Sequence, residues 1–370
     1  MNDDCLKLTT YFGERDRTGG RLLADALFDI YGAHRVQTSV LLRGAEGFGR
    51  LHHLHTDRLL SLSEDLPVVS IAVDTRPRIE SMLEAVMQIK RRGLVTLERA
   101  RLVSGELGAP PAGGALDPAT GVVLPDELGK ETKLTVYVGR QQRVDGRPAF
   151  VAVCDLLYRR GVAGATVLLG VDGTSRGRRT RARFFARNSD VPMMIIGVGT
   201  AERVADVLPE LSGLLRDPIL TLERVRLCKR SGELLARPHE LPGTDEHGIA
   251  VWQKLMVYSS DSATWHGRPL HLEIIRRLRA SDAAGATSLR GIWGFRGTRP
   301  PRGDKVFQVR RHVPVVTVVI DAPERIARSF AIIDEVTREH GMVTSEMVPA
   351  MTAISAHDTL GDLRIARHDY

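Results

Sequence analysis

The sequence predicts an α+β protein built of three tandem ferredoxin-like units (βαββαβ), packed together as a single-chain pseudotrimer. Two observations predict this: a set of short motifs that returns three times, and an apolar spacing around each copy that switches between the strand and helix periods. The motifs open with Lys7-Leu8-Thr9-Thr10-Tyr11, Lys133-Leu134-Thr135-Val136-Tyr137 and Lys254-Leu255-Met256-Val257-Tyr258. Gly20-Arg21, Gly146-Arg147 and Gly267-Arg268 follow. Next comes Arg43-Gly44-Ala45-Glu46-Gly47-Phe48-Gly49, with a close copy at Arg290-Gly291-Ile292-Trp293-Gly294-Phe295 and a looser one at Gly170-Val171-Asp172-Gly173. Leu66-Pro67-Val68-Val69, Val191-Pro192-Met193-Met194 and Val313-Pro314-Val315-Val316 come after it, then Thr96-Leu97-Glu98, Thr221-Leu222-Glu223 and Thr344-Ser345-Glu346. Copies one and three keep register without a gap from Lys7 to Asp74.

In the first copy residues 8–12 read as a strand, and 13–20 as a polar loop flanked by glycine. Leu22, Leu23, Ala26, Leu27 and Ile30 then fall at the three-to-four spacing of an amphipathic helix, which Gly32 ends. Val36, Thr38, Val40 and Leu42 alternate as a second strand, expected to stop at Gly44. A long polar loop over 45–65 follows, carrying Gly47, Gly49, His52, His53 and His55, with Leu59, Leu60 and Leu62 as a docked turn. Loops of that length in compact domains are commonly functional. Residues 67–73 form a third strand entered by proline. Asp74-Thr75-Arg76-Pro77 starts a second helix lined by Ile79, Met82, Leu83, Val86 and Ile89, and 95–103 close the unit as a fourth strand. The other copies read alike. Repeats are thus expected at 1–104, 132–229 and 253–349, with Pro- and Gly-rich linkers at 105–131 and 230–252 and a tail at 350–370.

With 370 residues and 43% hydrophobic content the chain can bury a large core. No apolar run approaches the ~18 residues of a membrane span. The acidic Met1-Asn2-Asp3-Asp4 start lacks the pattern of a signal peptide, so a cytoplasmic protein is expected. Cys5, Cys154 and Cys228 are scattered and outside any CxxC, as in a reducing compartment. The net charge of +7 is concentrated in 176–187 and 296–311, at equivalent places in their repeats.

The stretch from Tyr11 to Arg21, with Leu42 to Gly49, His55-Thr56 and Leu62-Ser63-Glu64-Asp65-Leu66-Pro67-Val68, resembles an uncharacterised PII-like family often encoded beside fluoride exporters of the CrcB type. The match is clear in repeat three and degraded in the loop of repeat two. The resemblance implies a ferredoxin-like trimer, here fused into one chain, with ligands in clefts between units and a long loop after the second strand that docks on partners. Nucleotide-binding PII proteins carry a glycine- and lysine-rich turn before the last strand. The corresponding stretches here are Lys90-Arg91-Arg92-Gly93, Leu215-Arg216-Asp217-Pro218 and Arg338-Glu339-His340-Gly341, so ATP binding is not carried over and no cofactor is assigned.

The candidate ligand residues are Arg21, Arg147 and Arg268, together with Gly44, Glu46, Gly47, Phe48, Gly291, Gly294 and Phe295. Short glycine runs can converge backbone N–H groups on an anion, or serve only as tight turns of positive φ. Arginine at a helix start opposes the helix dipole, which points to a paired carboxylate, with Glu98, Glu223 or Glu346 as candidates, or to an anionic ligand. His55, Arg179, Arg181, Arg299 and Arg302 are candidate partner contacts in the loops. The histidine cluster is not repeated in the other copies, so no metal is expected. No nucleophile elbow, zinc spacing or Walker loop is present. The sequence therefore predicts a non-enzymatic regulator, monomeric as a chain, that binds a small anion in inter-repeat clefts and regulates a partner such as a fluoride or other ion transporter by peripheral contact. The alternatives are a ferredoxin-like nucleic-acid binder, which lacks stacking aromatics on its central strands, and an acyl- or phosphoryl-transfer enzyme.

Overall fold

The computed structural model describes residues 5–49, 54–56, 65–104, 130–181, 191–303, 313–355 and 358–368. Repeat one contributes strands Cys5–Gly13, Thr38–Phe48, Pro67–Thr75 and Gly93–Ser104, with helices Leu23–Ala33 and Arg76–Ile89. Repeat two contributes Glu131–Gly139, Gly164–Ser175, Pro192–Thr200 and Ile219–Arg230, with helices Ala149–Arg159 and Ala201–Leu214. Repeat three contributes Trp252–Ser260, Ala286–Arg290 continued by Trp293–Arg296, Pro314–Asp321, and Met342–Val348 continued by Ala350–Ile354, with helices Leu270–Ala280 and Pro323–Val336. Each third strand opens on proline, whose missing N–H is tolerated at a strand's first position.

In repeat one the first strand lies between the third and fourth, and the second pairs with the third, all antiparallel. The second and fourth strands do not end there. The far half of each second strand pairs with the near half of another repeat's second strand: 44–48 with 286–289, 293–296 with 164–167, and 170–175 with 38–42. The fourth strands run round the opposite way: 101–104 with 219–222, 226–230 with 342–345, and 350–354 with 93–97.

These pairings overturn the expected fold class. The chain is not three ferredoxin-like domains packed as a pseudotrimer. It is one hydrogen-bonded strand system, mostly sheet, that closes into an antiparallel barrel and carries six helices among the described residues. The physical reason is local. The second strand was expected to stop at Gly44, but it continues to Phe48 and exchanges its edge with a neighbour, so no unit has a boundary of its own. Closure also removes the open edges that three separate sheets would present.

Both faces of the sheet are buried. Alternate residues such as Val69, Ile71 and Val73 join a central cluster with Met194, Ile196, Val316 and Val318, drawn from all three repeats. Their neighbours Val68 and Ala72 face the helices, packing with Leu27, Phe28, Ile79 and Met82. The first helix runs past Gly32 to Ala33, and the chain turns at Arg35, whose φ of 49° is left-handed. The segment 230–252 packs Leu241 and Val251 with Met347 and Ala366, and residues 105–129 lie outside the described residues. No helix among the described residues is long and apolar enough to cross a membrane.

Candidate functional site

The glycines of the recurring motif sit in the exchanged strands. None of Gly44, Gly47, Gly291 and Gly294 has a left-handed φ, so neither the anion nest nor the positive-φ turn describes them. They are there for close approach of backbones. A Cβ on Gly44 would lie 2.8 Å from the Pro67 carbonyl oxygen, on Gly47 2.8 Å from that of Ala286, on Gly291 2.8 Å from that of Val167, and on Gly294 2.3 Å from that of Ala165. Phe48 passes from repeat one into the helix-side core of repeat three, beside Leu255, Ile274 and Phe330. Phe295 likewise enters the core of repeat two, edge-on to Tyr158 at 5.3 Å between ring centroids. Glu46, two residues before Phe48 on the same strand, is buried opposite Ser288.

Two clefts open at these seams. The one between repeats two and three has a volume of about 360 Å³ and is lined by Thr166, Tyr258, Ser259, Ser260, Gly294, Phe295, Arg296, Arg299, Arg302 and His340. Among the described residues no acid lines it. Arg296 donates to the Tyr258 carbonyl at 3.2 Å, and burial together with nearby Arg299 lowers its pKa. Among the described residues, none of these three arginines has a carboxylate partner within ion-pair distance. The other cleft, between repeats one and three, has a volume of about 320 Å³ and includes Tyr11, Phe12, Gly47, Phe48, Leu94, Val318, Ile320 and Met351.

The remaining predicted residues fall elsewhere. Arg21 pairs with Asp29 and Arg147 with Asp155, each on the following helix, and all four lie outside both clefts. Arg268 lies 3.9 Å from Glu273, which is held more closely by Arg276 and Arg277. Arg179 is tied down by Asp172 at 2.7 Å, Asp29 at 2.6 Å and Asp25 at 3.0 Å, and Arg181 by Asp25 at 2.9 Å. These pairs staple the repeat-two hairpin onto the first helix of repeat one, whereas Arg299 and Arg302, at the equivalent place, face a cleft. His55 lies in the strand Leu54–Thr56 opposite Gly47; His52 and His53 are outside the described residues.

Glu98, Glu223 and Glu346 are not the partners of those arginines. They meet Lys7, Lys133 and Lys254 in a buried ring of alternating charge. Lys7 reaches Glu98 at 3.0 Å and also Glu223; Lys133 reaches Glu223 at 3.0 Å and also Glu346; Lys254 reaches Glu346 at 2.9 Å and also Glu98. Burial opposes charge on every member. At Lys7 and Lys254 the facing glutamates outweigh it and raise the pKa, at Lys133 burial prevails and lowers it, and the lysines hold Glu98 and Glu223 below the ordinary carboxylate range. One oxygen from each glutamate lies within 4.8 Å of the others, a spacing that could hold a cation, but the ammonium groups already occupy that role.

Sequence reasoning missed Arg296, His340 and the lysine ring. The recurrence of Lys7 with Glu98 and their copies was visible, but nothing local says that six groups from three repeats meet. Arg296 follows directly on Gly294-Phe295, so its place beside the motif was the available signal.

Compared with known proteins, the chain matches the family DUF190, described as an uncharacterized ACR (COG1993), over residues 5–102, 131–227 and 252–350. It is 33% identical over 95 residues to a UPF0166 protein of Aquifex aeolicus (strain VF5), an alignment spanning 25% of this chain and 88% of that protein. Among solved structures it is similar to CrmK, a flavoenzyme involved in shunt product recycling in caerulomycin biosynthesis, at 15% identity over 88% of this chain and 68% of that one. The TM-score of 0.18 makes that likeness too slight to bear on fold or function.

Proposed function

The chain belongs to the DUF190 family, in three tandem copies, and from that premise we propose that it is a non-enzymatic regulatory protein sensing a small anion in the cleft between repeats two and three. One observation carries the reading: Arg296, Arg299, Arg302 and His340 line a single cleft in which no acid stands among the described residues. Guanidinium groups gathered with no carboxylate beside them among the described residues raise one another's energy, and an anion that bridges them relieves this. Tyr258, Ser259 and Ser260 bring hydrogen-bonding groups to the same cleft.

The signal would pass through the hairpin Trp293–Arg296 and Arg299–Gly303. That hairpin rests on the first helix of repeat two, where the Tyr158 hydroxyl donates to the Thr298 carbonyl at 2.8 Å. An anion bridging Arg299 and Arg302 to the repeat-three wall fixes the hairpin in one position, and a partner that reads its outer face then distinguishes the two states. The resemblance of residues 11–21 and 42–49 to a PII-like group encoded beside fluoride exporters supports an ion transporter as that partner, met by peripheral contact.

The test is a thermal-shift and calorimetric titration of the full chain with inorganic phosphate, bicarbonate and AMP, repeated on Arg296→Ala/Arg299→Ala. At least one anion should stabilise the wild-type chain saturably, and the double variant should lose at least about tenfold in affinity, some 1.4 kcal/mol. Equal stabilisation of the double variant would contradict the assignment.

A further inference from the structure

The internal repeat provides its own control, because the two clefts occupy equivalent seams. Tyr11 and Tyr258, Phe48 and Phe295, and Pro67 and Pro314 hold matching places in their walls. Around this shared frame the lining has diverged. Phe12 stands where repeat three has Ser259, and Asp16 where it has Ala263. Val318, Ile320, Met351 and Ala353 add apolar surface to the cleft between repeats one and three. Among the described residues its charged lining is Asp16 and Asp65 against Arg92, one acid more than base, while the other cleft has arginine and no acid.

We propose that the cleft between repeats one and three is a second ligand site, specific for an uncharged, ring-sized apolar molecule. Its volume of about 320 Å³ suits one small ligand, and an apolar wall with few polar groups is the usual make-up of such sites. Met351 adds an adaptable, polarisable contact, and Tyr11 adds an aromatic one. Asp16 and Asp65 disfavour an anion. The Asp16 carboxylate accepts from the Gly13 N–H at 3.1 Å and that of Asp65 from the Arg15 N–H at 2.6 Å, which holds both in place at the rim. The chain would therefore read two chemically different ligands through one fold, each at a seam between repeats.

The proposal rests on the reading of the seams as ligand clefts, and methionine methyl resonances separate the two. Met351 lines one cleft and Met342 the other. The full chain, labelled at the methionine methyls and assigned with Met351→Leu and Met342→Leu, is titrated with indole, benzoate and inorganic phosphate. Indole should shift Met351 saturably and leave Met342 in place, and benzoate should act on Met351 at least about tenfold more weakly. Ala284→Phe, which fills the cleft wall, should abolish the indole response while Met342 still answers phosphate. Asp16→Ala, which installs the residue found in repeat three, should bring benzoate affinity to within a few-fold of that for indole. An unmoved Met351 with indole, equal action of benzoate on the wild-type chain, or an indole response surviving Ala284→Phe would overturn the proposal. Failure of phosphate at Met342 would count against the anion site alone.

Discussion

Lys90 ends the second helix of repeat one almost fully buried, donating to the Tyr11 carbonyl at 2.7 Å and lying 5.1 Å from the centre of the Phe12 ring. Burial pushes its pKa down to about 7, against the opposing pull of Asp16. The unfolded chain then binds more protons than the native one between about pH 7 and the ordinary lysine value near 10.5, so stability rises with pH across that window. Below it both states are protonated and the full burden of a buried charge remains. Denaturant unfolding should show this rise, limited to ~1.4 kcal/mol per pH unit, and Lys90→Met should flatten it. A wild-type curve level from pH 7 to 9 would contradict the assignment. The lysine and glutamate ring behaves differently, because each charge there has two opposite neighbours. Glu98→Gln should destabilise by roughly 3–5 kcal/mol, since it leaves Lys7 and Lys254 sharing too little negative charge in a buried place, and Lys7→Met/Glu98→Leu should recover part of that loss. Urea midpoints of the two variants decide this; a double variant at least as unstable as Glu98→Gln would show that the ions themselves hold the barrel shut.

The exchanged strands explain a sequence motif that looked like a binding loop. Gly170 leaves 2.1 Å between a Cβ and the Pro192 carbonyl oxygen, and Gly294 leaves 2.3 Å to that of Ala165, so Gly294→Ala and Gly170→Ala must push neighbouring backbones apart. Each should destabilise by about 1–3 kcal/mol, whereas Gly49→Ala, with nothing within 4 Å, should stay within ~0.5 kcal/mol of wild type. Thermal unfolding of the three variants checks the contrast. Helices and strands were legible because their apolar spacing is local: Leu23 and Leu27, read as lining the first helix, are both buried in it, while Phe28 and Tyr31 were not singled out. The strand exchange was not legible, because Gly47 breaks the alternation for the sake of residues more than two hundred positions away, Ala286 and Thr287. For the same reason the lining of the cleft between repeats two and three was only partly legible. Gly294 and Phe295 stand in its wall as expected, yet the arginines of the helix starts are engaged by Asp29 and Asp155.

At the scale of the whole molecule, closure depends on the chain after repeat three. The strand Ala350–Ile354 pairs with residues 93–97 of repeat one and buries Met351 and Ala353 in the central cluster. Ending the chain at Pro349 should open that seam and lower stability by several kcal/mol, on the order of burying two or three apolar side chains. A truncated chain that unfolds at the wild-type denaturant midpoint would contradict this. The clefts, the glycine motif and the exchanged phenylalanines all lie along these seams, so the proposed function rests on them as the fold does. Native-state hydrogen exchange tests them most directly. The backbone amides in the ladders joining 44–48 to 286–289, 293–296 to 164–167, and 170–175 to 38–42 should be protected nearly as strongly as those of the first strands 6–11, opening only with global unfolding. Exchange of these amides at the rate of exposed loops, while the first strands stay protected, would show three units merely strung together and would contradict the closed barrel.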